Sequence, residues 1–222
     1  MTYQTIGGIS VSRIAQGCMR IDRLTRAELD ALIRSDLDAG ISFFEHADIY
    51  GGNGRCEELF GNILREDPSL RERMTIQTKC GIRPGQYDFS KEHILTSVDA
   101  SLKRLGTEQV EFLVLHRPDT LVEPEEVAEA FTRLKEQGKV KKFGVSNHNS
   151  MQIELLKTAV KQPLIINQLQ FSATEAGLVT SGMNVNMKNA DSVMHDGAFL
   201  EYSRIKNITI QTWSPFLYGF FE

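Results

Sequence analysis

A parallel α/β barrel is the fold class this sequence predicts, and three observations predict it. Short apolar runs alternate with amphipathic stretches along the whole chain, the pattern of a parallel sheet covered by helices. No G-x-G-x-x-G follows the first run, which argues against an open dinucleotide-binding sheet. Polar residues end six different runs: Glu45, Lys79, His116, Ser146 with Asn147, Gln168, and Trp213 with Ser214. An open sheet concentrates its site at one switch point, whereas a barrel gathers the carboxyl ends of all its strands around one mouth. The prediction is a (β/α)8 TIM barrel preceded by an N-terminal β-hairpin.

The elements follow in order. Tyr3 to Ile6 and Ile9 to Val11 flank Gly7-Gly8, a pair suited to a two-residue hairpin turn. Ile14 to Met19 is a strand, and Thr25 to Ala39 a helix with a Thr25/Glu28 capping box, ended by Gly40. Strand Ile41 to Phe44 precedes helix Arg55 to Arg65. Strand Met74 to Lys79 precedes helix Ser90 to Leu105, with Ser90 as N-cap and Gly106 as C-cap. Val110 to Leu115 precedes a helix over Glu125 to Gln137, and Val140 to Val145 precedes one over Ser150 to Thr158. Leu164 to Gln168 and Ile208 to Trp213 complete seven strands. Gly177 to Gly197 is an irregular stretch, a surface loop with lid as a secondary role.

A closed barrel of this type needs eight strands, yet the chain stops at Glu222, just beyond the seventh. The expectation is therefore one domain over 1–222 that lacks strand eight, either because the protein continues or because it is truncated with an open edge.

Composition narrows the function. The chain has 222 residues, 41% hydrophobic and 24% charged, enough for one sizeable core. A net charge of -4 and no long run of Lys and Arg exclude a phosphate-tracking surface, so no nucleic-acid partner is expected. Cys18, Cys56 and Cys80 are odd in number and lack metal spacing; they read as reduced thiols and place the chain in the cytosol. The first residues lack the charge and apolar pattern of a signal peptide, and no window approaches a membrane span. Oligomeric state leaves no mark in the sequence.

The organising stretch is FFEHADIYGG, Phe43 to Gly52, where an apolar run breaks into Glu45, His46, Asp48 and Tyr50 and then into Gly51, Gly52, Asn53 and Gly54. Glycines there permit a left-handed turn that carries side chains to a surface. Tyrosine, with an ordinary pKa of about 10, donates a proton near neutrality when a cation stabilises its phenolate. Lys79, ending the next strand, supplies that cation; Glu45 holds the ammonium, and His116 orients a carbonyl oxygen toward Tyr50. The set describes a proton-donating site for a polarised carbonyl. A second arrangement of Glu45, His46, Asp48 and His116, as ligands of a metal-dependent hydrolase, matches no ligand spacing and leaves Ser146, Asn147 and Trp213 without a use. His46 and Asp48 stand evenly between a site role and turn hydrogen bonding.

The runs ADIYG, TKCGI around Lys79, LHRPD from Leu115, GVSNH from Gly144, NQLQFS from Asn167 and TWSPF from Thr212, in that order, resemble the aldo-keto reductase family, and the WSPF ending with LYGFFE is similar to its bacterial predicted-oxidoreductase branch. The resemblance implies Tyr50 as general acid, Lys79 as the residue lowering its pKa, and His116 as the carbonyl-orienting group. It implies that Ser146, Asn147 and Gln168 hydrogen-bond the nicotinamide carboxamide, and that Trp213, followed by Ser214, stacks on the ring. The cofactor implied is NADPH, with a small carbonyl compound as substrate and no metal. Two departures stand out. Glu45 occupies the family's aspartate position, one methylene longer, so that its carboxylate either meets Lys79 at a different angle or leaves the role partly to Asp48; and the strand-eight segment that grips the adenosine and 2′-phosphate in relatives lies beyond this sequence. Both departures motivate an alternative, a nicotinamide-nucleotide-binding regulatory protein with impaired catalysis.

Overall fold

The computed structural model describes residues 1–183 and 199–215. The chain opens with the antiparallel hairpin of β1 (Tyr3–Ile6) and β2 (Ile9–Ser12), turned by Gly7 and Gly8 at φ 54° and 86°. Strand β3 (Ala15–Gly17) leads through a 3-10 turn, Ile21–Arg23, into α1 (Arg26–Asp38). The predicted capping box closes α1: Glu28 N donates to Thr25 Oγ1 at 3.3 Å, and Thr25 N to Glu28 Oε2 at 2.8 Å. Then follow β4 (Phe43–Glu45), α2 (Arg55–Glu66), a one-turn α3 (Ser69–Glu72), β5 (Thr75–Cys80), and a small hairpin of β6 (Ile82–Arg83) and β7 (Gln86–Tyr87). Helix α4 (Lys91–Leu105) has the predicted caps, Ser90 and Gly106. The rest alternates as β8 (Val110–Leu115), α5 (Pro124–Glu136), β9 (Val140–Ser146), α6 (Ser150–Lys157) and β10 (Leu164–Gln170), then α7 (Gly177–Met183), α8 (Phe199–Lys206) and β11 (Thr209–Trp213).

Among the described residues the seven predicted strands form one curled, parallel sheet in the order β11-β10-β9-β8-β5-β4-β3. Its outer face packs on the helices through a core that includes Ile76, Leu113, Phe131 and Phe143. Its inner face holds a second cluster, Phe43, Phe112, Val114 and Ile166, sealed by Ile6 and Val11 of the hairpin. A buried sheet with apolar groups on both faces is what continuous runs such as Val110–Leu115 require. The hairpin therefore plugs one end of the barrel, and the strands deliver their carboxyl ends to the other.

Two features of the helix layer escape a pattern of apolar residues. Glu57 of α2 is fully buried, where it accepts from Thr78 Oγ1 at 2.5 Å and from Arg104 Nε at 2.8 Å. This brace ties α2 and α4 to β5 one residue before Lys79. Beside it, a Cβ at Gly61 would lie 2.0 Å from the Arg104 carbonyl oxygen, so glycine is what lets α2 approach α4 so closely.

The irregular stretch expected from Gly177 to Gly197 begins instead with a helix, α7, because Leu178 packs on the core; residues 184–198, and the lid role given to them, lie outside the described residues. So do residues 216–222, which hold the whole LYGFFE run. No described helix is long and apolar enough to cross a membrane.

Candidate active site

The loop after β4 is fixed by the sheet before it turns. His46 N donates to Gln77 O at 2.8 Å and Asp48 N to Lys79 O at 3.0 Å, continuing the ladder with β5 past Glu45. Gly51, Gly52, Asn53 and Gly54 then all take positive φ, between 52° and 83°. A Cβ at Gly51 would come within 2.9 Å of Cys56 Sγ, so the reversal that sets Tyr50 over the barrel mouth needs glycine both for its angle and for its space.

Glu45 is the hub of what this turn brings together. Its Oε1 pairs with the Lys79 ammonium and accepts from the Tyr50 hydroxyl at 3.1 Å and from Gln168 Nε2 at 3.3 Å. Lys79, 1% exposed, also donates to His46 O at 3.0 Å and lies 4.7 Å above the Tyr50 ring. The His116 ring stands edge-on to Tyr50, with centroids 6.0 Å apart. Tyr50, Lys79, His116 and Glu45 are therefore one cluster, as expected from their places at strand ends.

One electrostatic expectation is corrected. Tyr50 is not drawn down by Lys79 in this geometry: burial first, then the Cys18 and Cys56 thiols and Asp48, push the phenol above its ordinary value. The ammonium lies over the ring and pairs with the same Glu45 oxygen that accepts from the hydroxyl, so a carboxylate stands between the cation and the phenol. Burial likewise pushes Lys79 well down, while the adjacent Glu45 carboxylate favours its charged form. His116 is lowered to about 3 by burial, then by Lys79 and Arg117, so the imidazole is neutral near pH 7, and its Nδ1 has no partner among the described residues. The thiols were visible in the sequence only as strand-end cysteines; their place around Tyr50 depends on the third dimension.

The second half of the mouth is built by β9, β10 and β11. Asn147, at φ 58°, donates from Nδ2 to Ser146 Oγ at 2.7 Å, and Ser146 Oγ donates to Gln168 O at 2.9 Å. Trp213 Nε1 donates to Asn147 Oδ1 at 3.2 Å, and Ser214 follows at φ 48°. Two amides and a hydroxyl beside a half-buried indole match the donor and acceptor needs of one carboxamide on a flat ring, so these residues fit a nicotinamide.

His46 and Asp48 are set apart. His46 is fully buried against Phe60, with ring centroids 4.5 Å apart, and neither ring nitrogen has a partner among the described residues. Asp48 faces Ser97 and Arg104 of α4, at a cavity of about 300 Å³, and burial with Glu57 nearby raises it to about 7. It does not share Lys79 with Glu45. The metal-ligand arrangement fails on the same geometry, because His46 and Asp48 point away from Glu45 and His116.

Burial lowers His46 to about 3 and His148 to about 4, as it does His116. Below the ordinary histidine value of 6.5 the unfolded chain binds protons that these folded rings refuse, so stability rises with pH from about 3 to 6.5; Asp48 opposes this between 3.8 and about 7. His46→Leu leaves no hydrogen bond unmade. We expect it to keep stability at pH 7 and to reduce the slope of stability against pH by about 1.4 kcal/mol per unit. Urea midpoints between pH 4 and 6 measure this, and an unchanged slope assigns the acid sensitivity elsewhere.

The model of the aldo/keto reductase family matches residues 13–222. An uncharacterised oxidoreductase of Bacillus subtilis, YcsN, is 41% identical over 95% of this chain and 69% of its own length. A 6-dehydroglucose reductase of Agrobacterium fabrum is 35% identical over 93% of this chain and 68% of its own length. The chain thus spans about two thirds of these relatives. Among solved structures, the thermostable aldo-keto reductase Tm1743 superposes with a TM-score of 0.79 at 22% identity, covering 100% of this chain and 76% of that one, which shows a shared fold. With this fold, this strand-end cluster and a family match along nearly its whole length, the chain belongs to the aldo/keto reductase family.

Proposed function

We propose that this protein reduces aldehyde or ketone carbonyls to alcohols with NADPH. The observation that carries the proposal is the convergence at one barrel mouth of a phenol, a lysine-carboxylate pair and a neutral imidazole with a second group suited to a nicotinamide. Bound NADPH supplies the hydride for the carbonyl carbon. Tyr50 gives its hydroxyl proton to the carbonyl oxygen as charge develops there, and His116 orients that oxygen by hydrogen bonding. The balance is carbonyl plus NADPH plus one proton, giving alcohol and NADP⁺; the proton enters through Tyr50 and is replaced from solvent. Glu45 holds the phenol and Lys79 in register. Ser146, Asn147 and Gln168 hold the carboxamide, and Trp213 with Ser214 forms the wall against which the ring lies.

Residues 1–222 act in this proposal as one domain. The 6-dehydroglucose reductase likeness supports a polar carbonyl substrate, and the family supports a nicotinamide cofactor. Trp213 is the sole tryptophan, so its fluorescence reports the cofactor directly. Titration with NADPH is expected to quench it saturably, followed by carbonyl-dependent loss of NADPH absorbance across a panel of aldehydes and ketones. Quenching without turnover of any carbonyl favours a binding-only regulatory protein; no quenching from the folded chain, nor from a folded chain extended at its C-terminus to supply the adenosine-gripping segment, defeats the cofactor assignment.

A further inference from the structure

β5, which carries Lys79, and β11, which carries Trp213, are not neighbours in the sheet: β8, β9 and β10 separate them. Yet they touch through the barrel interior. Gln77 Nε2 donates to Gln211 Oε1 at 3.1 Å, and Gln211 Nε2 donates to Gln77 Oε1 at 3.0 Å, a closed two-way amide pair. Gln77 is fully buried and Gln211 half-buried.

Their positions give the pair its meaning. Side chains repeat on the same face every second residue of a strand, so Gln77 stands one pleat below Lys79, and Gln211 one pleat below Trp213. Gln168 Nε2 reaching Glu45 Oε1 is a second tie between the same two halves. An apolar pair would fill the space, but it would set neither distance nor orientation. Two reciprocal hydrogen bonds set both, since each amide fixes the plane of the other.

Resting on the reductase reading above, the geometry points to Gln77 and Gln211 as positioning residues: their amide bridge sets the separation between the proton-donating cluster around Lys79 and the nicotinamide wall at Trp213. Hydride and proton transfer need both partners placed to well within an ångström, and misplacement by about 1 Å costs on the order of 10²-fold in rate. β11 is the edge strand among the described residues, so β10 is its one neighbour in the sheet, and the bridge gives it a second anchor.

The test is the double variant Gln77→Leu/Gln211→Leu, which removes both polar partners together and leaves no amide unpaired, with Gln211→Ala as a companion on the half-buried edge. After thermal unfolding confirms the fold, three readouts follow. Acrylamide quenching of Trp213 without cofactor is expected to rise. The turnover number is expected to fall at least about tenfold, with the carbonyl KM within about twofold. The primary isotope effect with 4-deuterated NADPH is expected to increase, as hydride transfer becomes the slow step; a role in packing alone moves none of the three. Wild-type Trp213 quenching and turnover in a folded variant overturn the inference. If the wild-type chain reduces no carbonyl, the reductase reading fails while the Trp213 measurement still decides the bridge.

Discussion

Tyr50→Phe is expected to lower carbonyl-dependent NADPH oxidation by about 10²–10⁴-fold, the usual contribution of a positioned general acid. The substitution removes one hydroxyl and keeps the ring, which continues to stand beside His116 and beneath the Lys79 ammonium. It also removes the hydrogen bond to the Glu45 carboxylate, a loss of about 1.5–3 kcal/mol. NADPH affinity, read from Trp213, is expected to stay within about twofold, because the Asn147 and Trp213 contacts lie on other strands. Burial keeps the phenol protonated above its ordinary range, so the wild-type rate should not fall through loss of the tyrosine proton as pH rises from 9 to about 10.5, where an ordinary phenol ionises. Turnover retained in the phenylalanine variant would remove Tyr50 from the mechanism.

The parts of this molecule that were legible in the sequence are those governed by local rules. Strand and helix order followed from apolar periodicity, and the Thr25/Glu28, Ser90 and Gly106 caps from single residue types whose backbone preferences are strong. The site residues were legible because a parallel barrel forces every strand end to one mouth, so Glu45, Lys79, His116 and Gln168 had to be neighbours whatever their spacing in the chain. What escaped depends on side-chain direction. Asp48 turns toward α4 although it lies three residues from Glu45, and His46 turns into the core against Phe60. The Gln77 and Gln211 contact joins residues far apart in the chain across the interior, and no local pattern marks either one. The direction of the Tyr50 shift was lost for the same reason. Proximity of Lys79 was legible, but its placement over the ring, with Glu45 shared between it and the hydroxyl, was not.

Lys79→Met has the largest expected effect on stability. Lys79 is 1% exposed and pairs with Glu45 deep in the mouth, and removing one partner leaves the other charge with only Tyr50 and Gln168 as donors. Breaking a buried pair in this way costs about 3–5 kcal/mol, a drop in Tm of roughly 10 °C for a chain of this size. Removing both charges is a different experiment. In Lys79→Met/Glu45→Leu nothing ionic remains buried at the pair, so most of the lost stability should return, although the Tyr50 hydroxyl and the His46 carbonyl oxygen then lack their partners. Activity should not return with it, because the phenol has lost both the carboxylate that holds it and the cation beside it. Thermal melts and turnover measured on the same samples separate the two roles. Recovery of stability without recovery of rate assigns the pair to chemistry, whereas recovery of both would make Lys79 and Glu45 a structural ion pair that happens to lie beside Tyr50.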